Sequence, residues 1–474
     1  MGPGSWPLDH PRGSDVSDRF DAEVQAHAED SIQREVFGTR LGFILAAVGS
    51  AVGLGNMWRF SYTASEGGGA AFVFLYVILT LIIGIPIMLA EFAAGRKSRR
   101  SPIGALREAG GPKWIPVAFF YVGAGFLILS YYSVIAGWVV RYAFEAITIG
   151  FPADAGAHFE AISTGPQAMS YHLLFMIFTV IIVMGGVEKG IERASSLMMP
   201  ALFFILVGLA AWAFTLDGAG AGYAAYLQPQ WGDLLDGGTF ASAAAQAFFS
   251  LSLGMGAMLT FASYLSKDEN LNREAVVISF ADFLVAFIAG LVVFPIVFAL
   301  GLQGAVSEST VGALFIALPG AFAEMSGGRI IGSLFFLALM VGALTSAISL
   351  LEVVVASIID EFDIPRKKAA LGAGTLIALF GLLSASSLDT LGLIDAVAGE
   401  LFLVIGGLGL AILVGYRMKG AREELEKGAS PLFRKLIPVV FVFLRYIVPP
   451  IVIFVIYDRL MNVWSVIQTT YLGG

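Results

Sequence analysis

Two stretches of the chain place polar and flexible residues where an apolar helix would exclude them. In "LAAVGSAVGLGNMWRF" (45–60), Gly49, Ser50, Gly53, Gly55, Asn56 and Arg59 fall close together. In "AAAQAFFSLSLGMGAMLTFASY" (243–264), Gln246, Ser250, Ser252, Gly254 and Gly256 interrupt a similar run. Each glycine weakens a helix by about 1 kcal/mol against alanine, and an arginine at membrane depth costs at least about 2.5 kcal/mol. A helix that unwinds at such a point frees N–H groups at the start of one half and carbonyls at the end of the other. The N–H ends, with partial positive charge, suit a carboxylate; the carbonyls suit a hard cation such as sodium. Between them the two segments can hold a zwitterion and its ions.

A third stretch, "MVGALTSAISLLE", sets Gly342, Thr345, Ser346 and Ser349 on one helix face. Membrane hydroxyls often bond back to the preceding turn, and Gly49-x-x-x-Gly53 alone is a packing motif. Packing, however, does not require Asn56 or Arg59, and four small or polar positions in register line a cavity. "AVVISFADFLVAFIAGLVVF" adds one acid, Asp282. An intramembrane carboxylate is a functional candidate by default; its structural alternative is a protonated, hydrogen-bonded aspartate.

The elements that position these residues follow from composition. The chain has 474 residues, 57% hydrophobic and 14% charged, against about 25% charged in soluble proteins. Apolar runs long enough to cross a bilayer recur near 40–63, 70–95, 115–149, 171–187, 195–216, 240–265, 275–303, 329–359, 369–385, 393–416 and 436–459. The expected fold is an all-α polytopic membrane protein of about eleven spans, in contact with lipid. There are no cysteines, and the net charge is −8. With no basic surface, nucleic acid is not an expected partner. Residues 1–33 read as a disordered cytoplasmic tail; its "GPGS" resembles a cloning remnant, and no cleavable signal peptide precedes the first span.

Lysine and arginine alternate between loops. Arg96, Lys97, Arg99, Arg100, Arg107 and Lys113 follow span two, and later loops on that side carry Lys189, Arg193, Lys267, Arg273, Arg366, Lys367, Lys368 and the basic stretch 417–435. Loops 150–170, 217–239, 304–328 and 386–395 differ. They hold Asp and Glu but no lysine or arginine. The positive-inside rule puts the N-terminus in the cytoplasm and the C-terminus outside. The Gly-interrupted spans, one and six, lie five apart. Such pairs point to a transporter's central site, and the odd offset implies inverted repeats over 34–216 and 217–418, with 419–474 forming span eleven and the C-terminus.

"TRLGFILAAVGSAVGLGNMWRF", "GGGAAFVFLYVI", "FFSLSLGMGAM" and "GALTSAIS" closely resemble the neurotransmitter:sodium symporter family and its bacterial amino-acid transporters, from about Arg34 to the end. The resemblance implies two sodium sites. The first takes the Ala51 carbonyl, Asn56, Ser250 and the substrate's carboxylate, with Asp282 where many members carry asparagine. The second takes the carbonyls of Gly49, Val52 and Gly342 with the hydroxyls of Thr345 and Ser346. Oxygen-only ligands suit a hard monovalent cation. Residues matching the chloride pocket of other members are Tyr76, Gln246, Ser250 and Asp282; with an acid there, chloride is not expected to be required.

The same matching gives a substrate pocket of Ser50, Ala51, Gly53, Gly55, Ile128, Tyr132, Phe249, Ser250, Ser252, Gly254, Met255, Ser346 and Leu350, with Tyr132 and Phe249 closing over the ligand. Gly53 stands where monoamine carriers have aspartate, so the ligand must bring its own carboxylate. Ile128, Met255 and Leu350 make the walls apolar, and a neutral, hydrophobic or aromatic L-amino acid is expected. GABA, taurine or betaine-like substrates are the alternative, and a non-transporting sensor a remote one. The implied outer gate is Arg59 with Asp395, beside Tyr132 and Phe249. The implied inner gate is Arg34 with Asp360, beside Ser263 and Tyr264. Phe37 and Glu352 replace the family's tryptophan and glutamine, Glu91 is expected to accept hydrogen bonds from unwound backbone, and Glu400 has no assigned role. An enzyme is not expected: HExxH and GxSxG are absent, and His10, His27, His158 and His172 lie in the tail, in a loop or near a span end. The expected assembly is a monomer or weak dimer.

Overall fold

The computed structural model describes residues 2, 35–303 and 310–468. The expected tail 1–33, apart from residue 2, lies outside the described residues. Among the described residues every regular element is a helix, and a single isolated β-bridge joins Gly69 and Pro229. Nine helical spans among the described residues are long and apolar enough to cross a bilayer: Ala70–Ser98, Pro112–Thr148, Gly165–Met184, Val187–Ala213, Leu271–Ala299, Gly328–Phe362, Arg366–Ser386, Leu388–Arg417 and Pro431–Ile467. Two further spans are each split in two. Span one is Arg40–Ala51 followed by Gly55–Glu66 at a 63° bend, and span six is Gly237–Ser250 followed by Ala257–Ser263.

The breaks form where the sequence removes helical propensity, and neighbouring spans hold them open. In span six Ser252, Gly254 and Gly256 all take positive φ (53°, 75° and 84°), a region glycine enters without steric cost. A Cβ on Gly254 would run into the Leu403 carbonyl of span ten, so that backbone contact needs glycine. Glu91, fully buried in span two, accepts from the Gly254 N–H at 2.8 Å and the Leu259 N–H at 3.3 Å. Span one's first half is N-capped by Thr39, whose Oγ1 accepts from the Gly42 N–H at 2.9 Å, and the cap is held from another span. Glu192, at the start of span five, takes the Gly38 N–H at 2.7 Å, the Thr39 N–H at 3.1 Å and the Thr39 hydroxyl at 2.6 Å. The Thr39 cap satisfies an N–H group that the helix start leaves orphaned, and Glu192 fixes the cap residue in place.

Burial sorts the spans. Of its most apolar stretch span eight buries 72% within the protein and span eleven 22%; span eight is therefore packed among its neighbours beside the breaks, and span eleven lies on the outside of the bundle. On the lysine- and arginine-bearing face a short helix, Ala421–Glu426, is tied to the end of span two. Arg96 Nε meets Glu424 Oε1 at 2.6 Å, and Asn272 Nδ2 donates to the Leu425 carbonyl at 2.8 Å. Burial works against the Glu424 charge, but Lys427 and Arg96 prevail and hold its carboxyl below the ordinary range.

Candidate ion and substrate site

A small cavity sits between the two breaks, lined by Ser50, Ala51, Gly53, Gly55, Asn56, Ile128, Tyr132, Phe249, Ser252, Met255, Ser346, Ser349 and Leu350. Two residues expected in its wall are directed elsewhere: Gly254 gives its N–H to Glu91, and Ser250 turns toward Asp282. The glycines of span one let aromatic rings close in. A Cβ on Gly53 would stand 2.5 Å from Ser346 Oγ and 3.0 Å from the Tyr132 hydroxyl, and one on Gly55 would stand 2.6 Å from the Phe249 ring. Tyr132 accepts from the Leu54 N–H at 3.3 Å, and Ser252 donates to the Ser50 carbonyl at 2.8 Å.

Asp282 is the hub of a buried polar cluster on one side of this cavity. Its Oδ1 accepts from Asn56 Nδ2 at 2.6 Å; its Oδ2 accepts from Ser250 Oγ at 2.7 Å and the Tyr76 hydroxyl at 2.8 Å. Asn56 Nδ2 also reaches Ser250 Oγ at 2.9 Å. These donors are neutral and come from spans one, two and six. Gln246 donates to the Gly55 carbonyl at 3.2 Å, while its own Oε1 is buried without a hydrogen-bond partner. On the other side, Ser346 Oγ lies 3.4, 3.3 and 3.5 Å from the carbonyls of Gly49, Ser50 and Val52. Thr345 Oγ1 lies 3.0 Å from the Gly342 carbonyl. The Ser346 hydroxyl thus meets the Gly49 and Val52 carbonyls where spans one and eight touch, while the Thr345 hydroxyl bonds back within span eight. Ser349 bonds back to the Ser346 carbonyl at 2.8 Å, as membrane hydroxyls commonly do.

Above the cavity lies a vestibule of about 500 Å³ bordered by Arg59, Tyr131, Tyr132, Gln246, Phe249, Asp395, Glu400 and Arg459, among others. Tyr132 and Phe249 border both spaces and separate them. Here the expected outer pair needs correction. Arg59 Nη2 pairs with Glu400 Oε1 at 3.0 Å, whereas Asp395 Oδ1 accepts from the Tyr131 hydroxyl at 2.6 Å. The cause is local: Asp395–Phe402 is a π-helical turn. With i→i+5 bonding, residues five apart share a face, so Asp395 and Glu400 both border the vestibule. Arg59 also lies over the Phe249 ring, 4.8 Å from its centre.

At the opposite face Arg34 lies outside the described residues. Asp360 accepts from the Ser101 N–H at 2.5 Å, and Ser263 bonds back to the Thr260 carbonyl. Spans six and eight are linked through Tyr264, whose hydroxyl donates to Glu352 Oε1 at 2.5 Å. Arg366 clamps that same carboxylate at 2.7 and 2.9 Å. The Phe37 ring packs against Phe43, Phe261 and Tyr264.

The profile of the sodium:neurotransmitter symporter family matches residues 34–163 and 160–472. The chain belongs to this family. It is 34% identical over 447 residues to an uncharacterized sodium-dependent transporter, YhdH of Bacillus subtilis (strain 168), covering 90% of this chain and 98% of that protein. It is 35% identical over 447 residues to another, MJ1319 of Methanocaldococcus jannaschii, covering 89% of each. The crystal structure of MhsT in complex with L-phenylalanine superposes with a TM-score of 0.81 at 41% identity, over 90% of this chain and 100% of that one.

This symporter is thus a multi-pass membrane transporter rather than an enzyme, built on an inverted 5+5 repeat with helices one and six discontinuous. Two of its partnered residues escaped sequence reasoning. Arg366 was legible only as a loop cation, since the turn after span eight folds it back on Glu352. Arg459 had a signal, a basic residue at the end of an apolar run, but nothing in the sequence pairs it with Glu400.

Proposed function

We propose that this symporter imports neutral, hydrophobic or aromatic L-amino acids together with two sodium ions. The observation that carries the reading is the cavity itself. Main-chain and hydroxyl oxygens of spans one, six and eight converge around it, its walls are Ile128, Met255 and Leu350, and Gly53 offers no acid for an amine. A ligand there must supply its own carboxylate beside Asn56 and Ser250, and its side chain must be apolar. The L-phenylalanine complex of MhsT supports the same class.

In the proposed cycle the first ion takes the Ala51 carbonyl, Asn56, Ser250 and the substrate carboxylate, close to Asp282. The second takes Gly49, Val52, Gly342, Thr345 and Ser346. The Asp282 carboxylate already engages Asn56, Ser250 and Tyr76. It supplies the negative charge that would otherwise be required of chloride. Tyr132 and Phe249 close under Arg59, the bundle of spans one, two, six and seven tilts, and the Tyr264–Glu352 link breaks to release the cargo. The N-terminus is cytoplasmic and the C-terminus external, in a cell membrane, with 34–216 and 217–418 as the two repeats.

Binding of tritiated L-phenylalanine and L-leucine to the purified protein, in sodium and in potassium, tests the reading. Sodium-dependent binding that GABA, taurine and betaine fail to displace is expected. Equal binding in both salts, or displacement by those three alone, overturns it. Uptake that collapses when gluconate replaces chloride would overturn the role given to Asp282.

A further inference from the structure

Span eleven is little buried by the rest of the protein along its most apolar stretch, yet it carries Asp458, Arg459 and Asn462 within five residues. An arginine in a membrane span is costly unless it meets a partner. Arg459 is only 12% exposed. Its Nη1 lies 3.2 Å from Glu400 Oε2, its Nη2 lies 2.7 Å from Asp458 Oδ2, and its Nε is buried without a hydrogen-bond partner. Asn462, three residues on and so on the same helix face, donates to Glu400 Oε2 at 2.9 Å. The two oxygens of Glu400 are therefore divided: Oε2 belongs to span eleven, and Oε1 is presented to Arg59.

We propose that Arg459, with Asn462, makes span eleven a working part of the outer gate by fixing the Glu400 carboxylate in the orientation that holds Arg59 over Phe249. This deepens the transport reading and rests on it. Arg459 is a positioning residue: it acts through Glu400 and does not touch the cavity between the breaks. Once Oε2 is released, Glu400 can rotate, and Arg59 loses the fixed acceptor that keeps it above the ring. Asp395, on the same face of the π-turn but engaged by Tyr131, is then a competing partner. If Asp458 merely neutralised Arg459 for insertion, removing Arg459 would leave the gate unchanged.

The chain has no cysteine, so one introduced thiol reports on the gate. Leu350→Cys places it in the cavity beneath Phe249, and a small methanethiosulfonate reagent reads its accessibility in purified protein in sodium. Arg459→Gln is expected to speed labelling about fivefold, the scale of losing one partly buried ion pair, and Asn462→Ala to shift it the same way. Glu400→Gln should match Arg459→Gln, the double variant should be no faster than Glu400→Gln, and Arg459→Lys should keep the parent rate. Parental labelling in a folded Arg459→Gln protein overturns the proposal, as does an equal acceleration by Arg459→Gln in the Glu400→Gln background. If Arg459→Gln does not fold, Asn462→Ala decides, and a parental rate there also overturns it. Labelling needs no bound amino acid, so this inference and the amino-acid reading can fail separately.

Discussion

Asp282 buries a carboxylate among three neutral donors beside the cavity, and a cation at the first ion position would be its charged neighbour. At an effective dielectric of about 20, a unit charge at contact distance is worth several kcal/mol. Asp282→Asn should therefore weaken sodium affinity at least tenfold (about 1.4 kcal/mol), and added chloride should recover part of the loss. Sodium titration of L-phenylalanine binding in chloride and in gluconate measures both effects; an unchanged titration in gluconate would mean the charge is not used. Single residues were legible in the sequence to the extent that their surroundings were local. Asp282, Asn56 and Glu91 announced themselves as polar groups in apolar runs, and the structure gives each a buried polar partner. Glu400 could not be read, because its selection over Asp395 depends on a π-turn that neither propensity nor hydropathy encodes. Arg366 reaches Glu352 only through the turn joining spans eight and nine.

The breaks belong to the scale of elements, and glycine spacing revealed both of them. What the spacing could not give was the length and support of each break: a brief interruption in span one, and a longer one in span six pinned by Glu91 and by the Leu403 carbonyl. Gly254→Ala forces a side chain into positive φ and against that carbonyl, a strain of about 1–3 kcal/mol or more. Its thermal midpoint should drop by several degrees, and sodium-dependent binding should be lost; a parental melt would show that span ten yields. The helix Ala421–Glu426 was hidden in what reads as a basic loop, since its tie to span two is tertiary. The Glu424 carboxyl is held below its ordinary value of 4.5 by Lys427 and Arg96. The folded state thus binds its proton less readily than the unfolded state does. The stabilisation is fully present above the unfolded value and is lost as pH falls through the depressed folded value. Acid melts should show a drop in the wild type that flattens in Glu424→Gln. At neutral pH that variant should be less stable by about 3 kcal/mol, because Arg96 stays buried without its counter-charge.

At the scale of the whole molecule, hydropathy gave the spans and charge alternation gave a sidedness. The conformation could not be read, because it is decided by which face of the bundle is packed shut. Here the vestibule beside Glu400 is open to about 500 Å³, while Tyr264, Glu352, Arg366 and Phe37 close the other face. A vestibule open above the Tyr132–Phe249 layer while the other face is latched suits loading from the vestibule, and in the proposed cycle the ions and the amino acid then move together. A zwitterion carries no net charge, so the membrane potential acts on the sodium ions alone, at about 2.3 kcal/mol per charge per 100 mV. Two ions supply about 4.6 kcal/mol, which corresponds to roughly a two-thousandfold accumulation ratio; one ion gives only about fiftyfold. Proteoliposomes with equal sodium on both sides and a potassium diffusion potential of about 100 mV, negative inside, separate these cases. The accumulation of L-phenylalanine at steady state, corrected for leak, should exceed the one-ion ceiling. A plateau at or below it would leave only one of the two oxygen sites coupled to transport, and accumulation indifferent to the potential would mean that charge does not cross with the substrate.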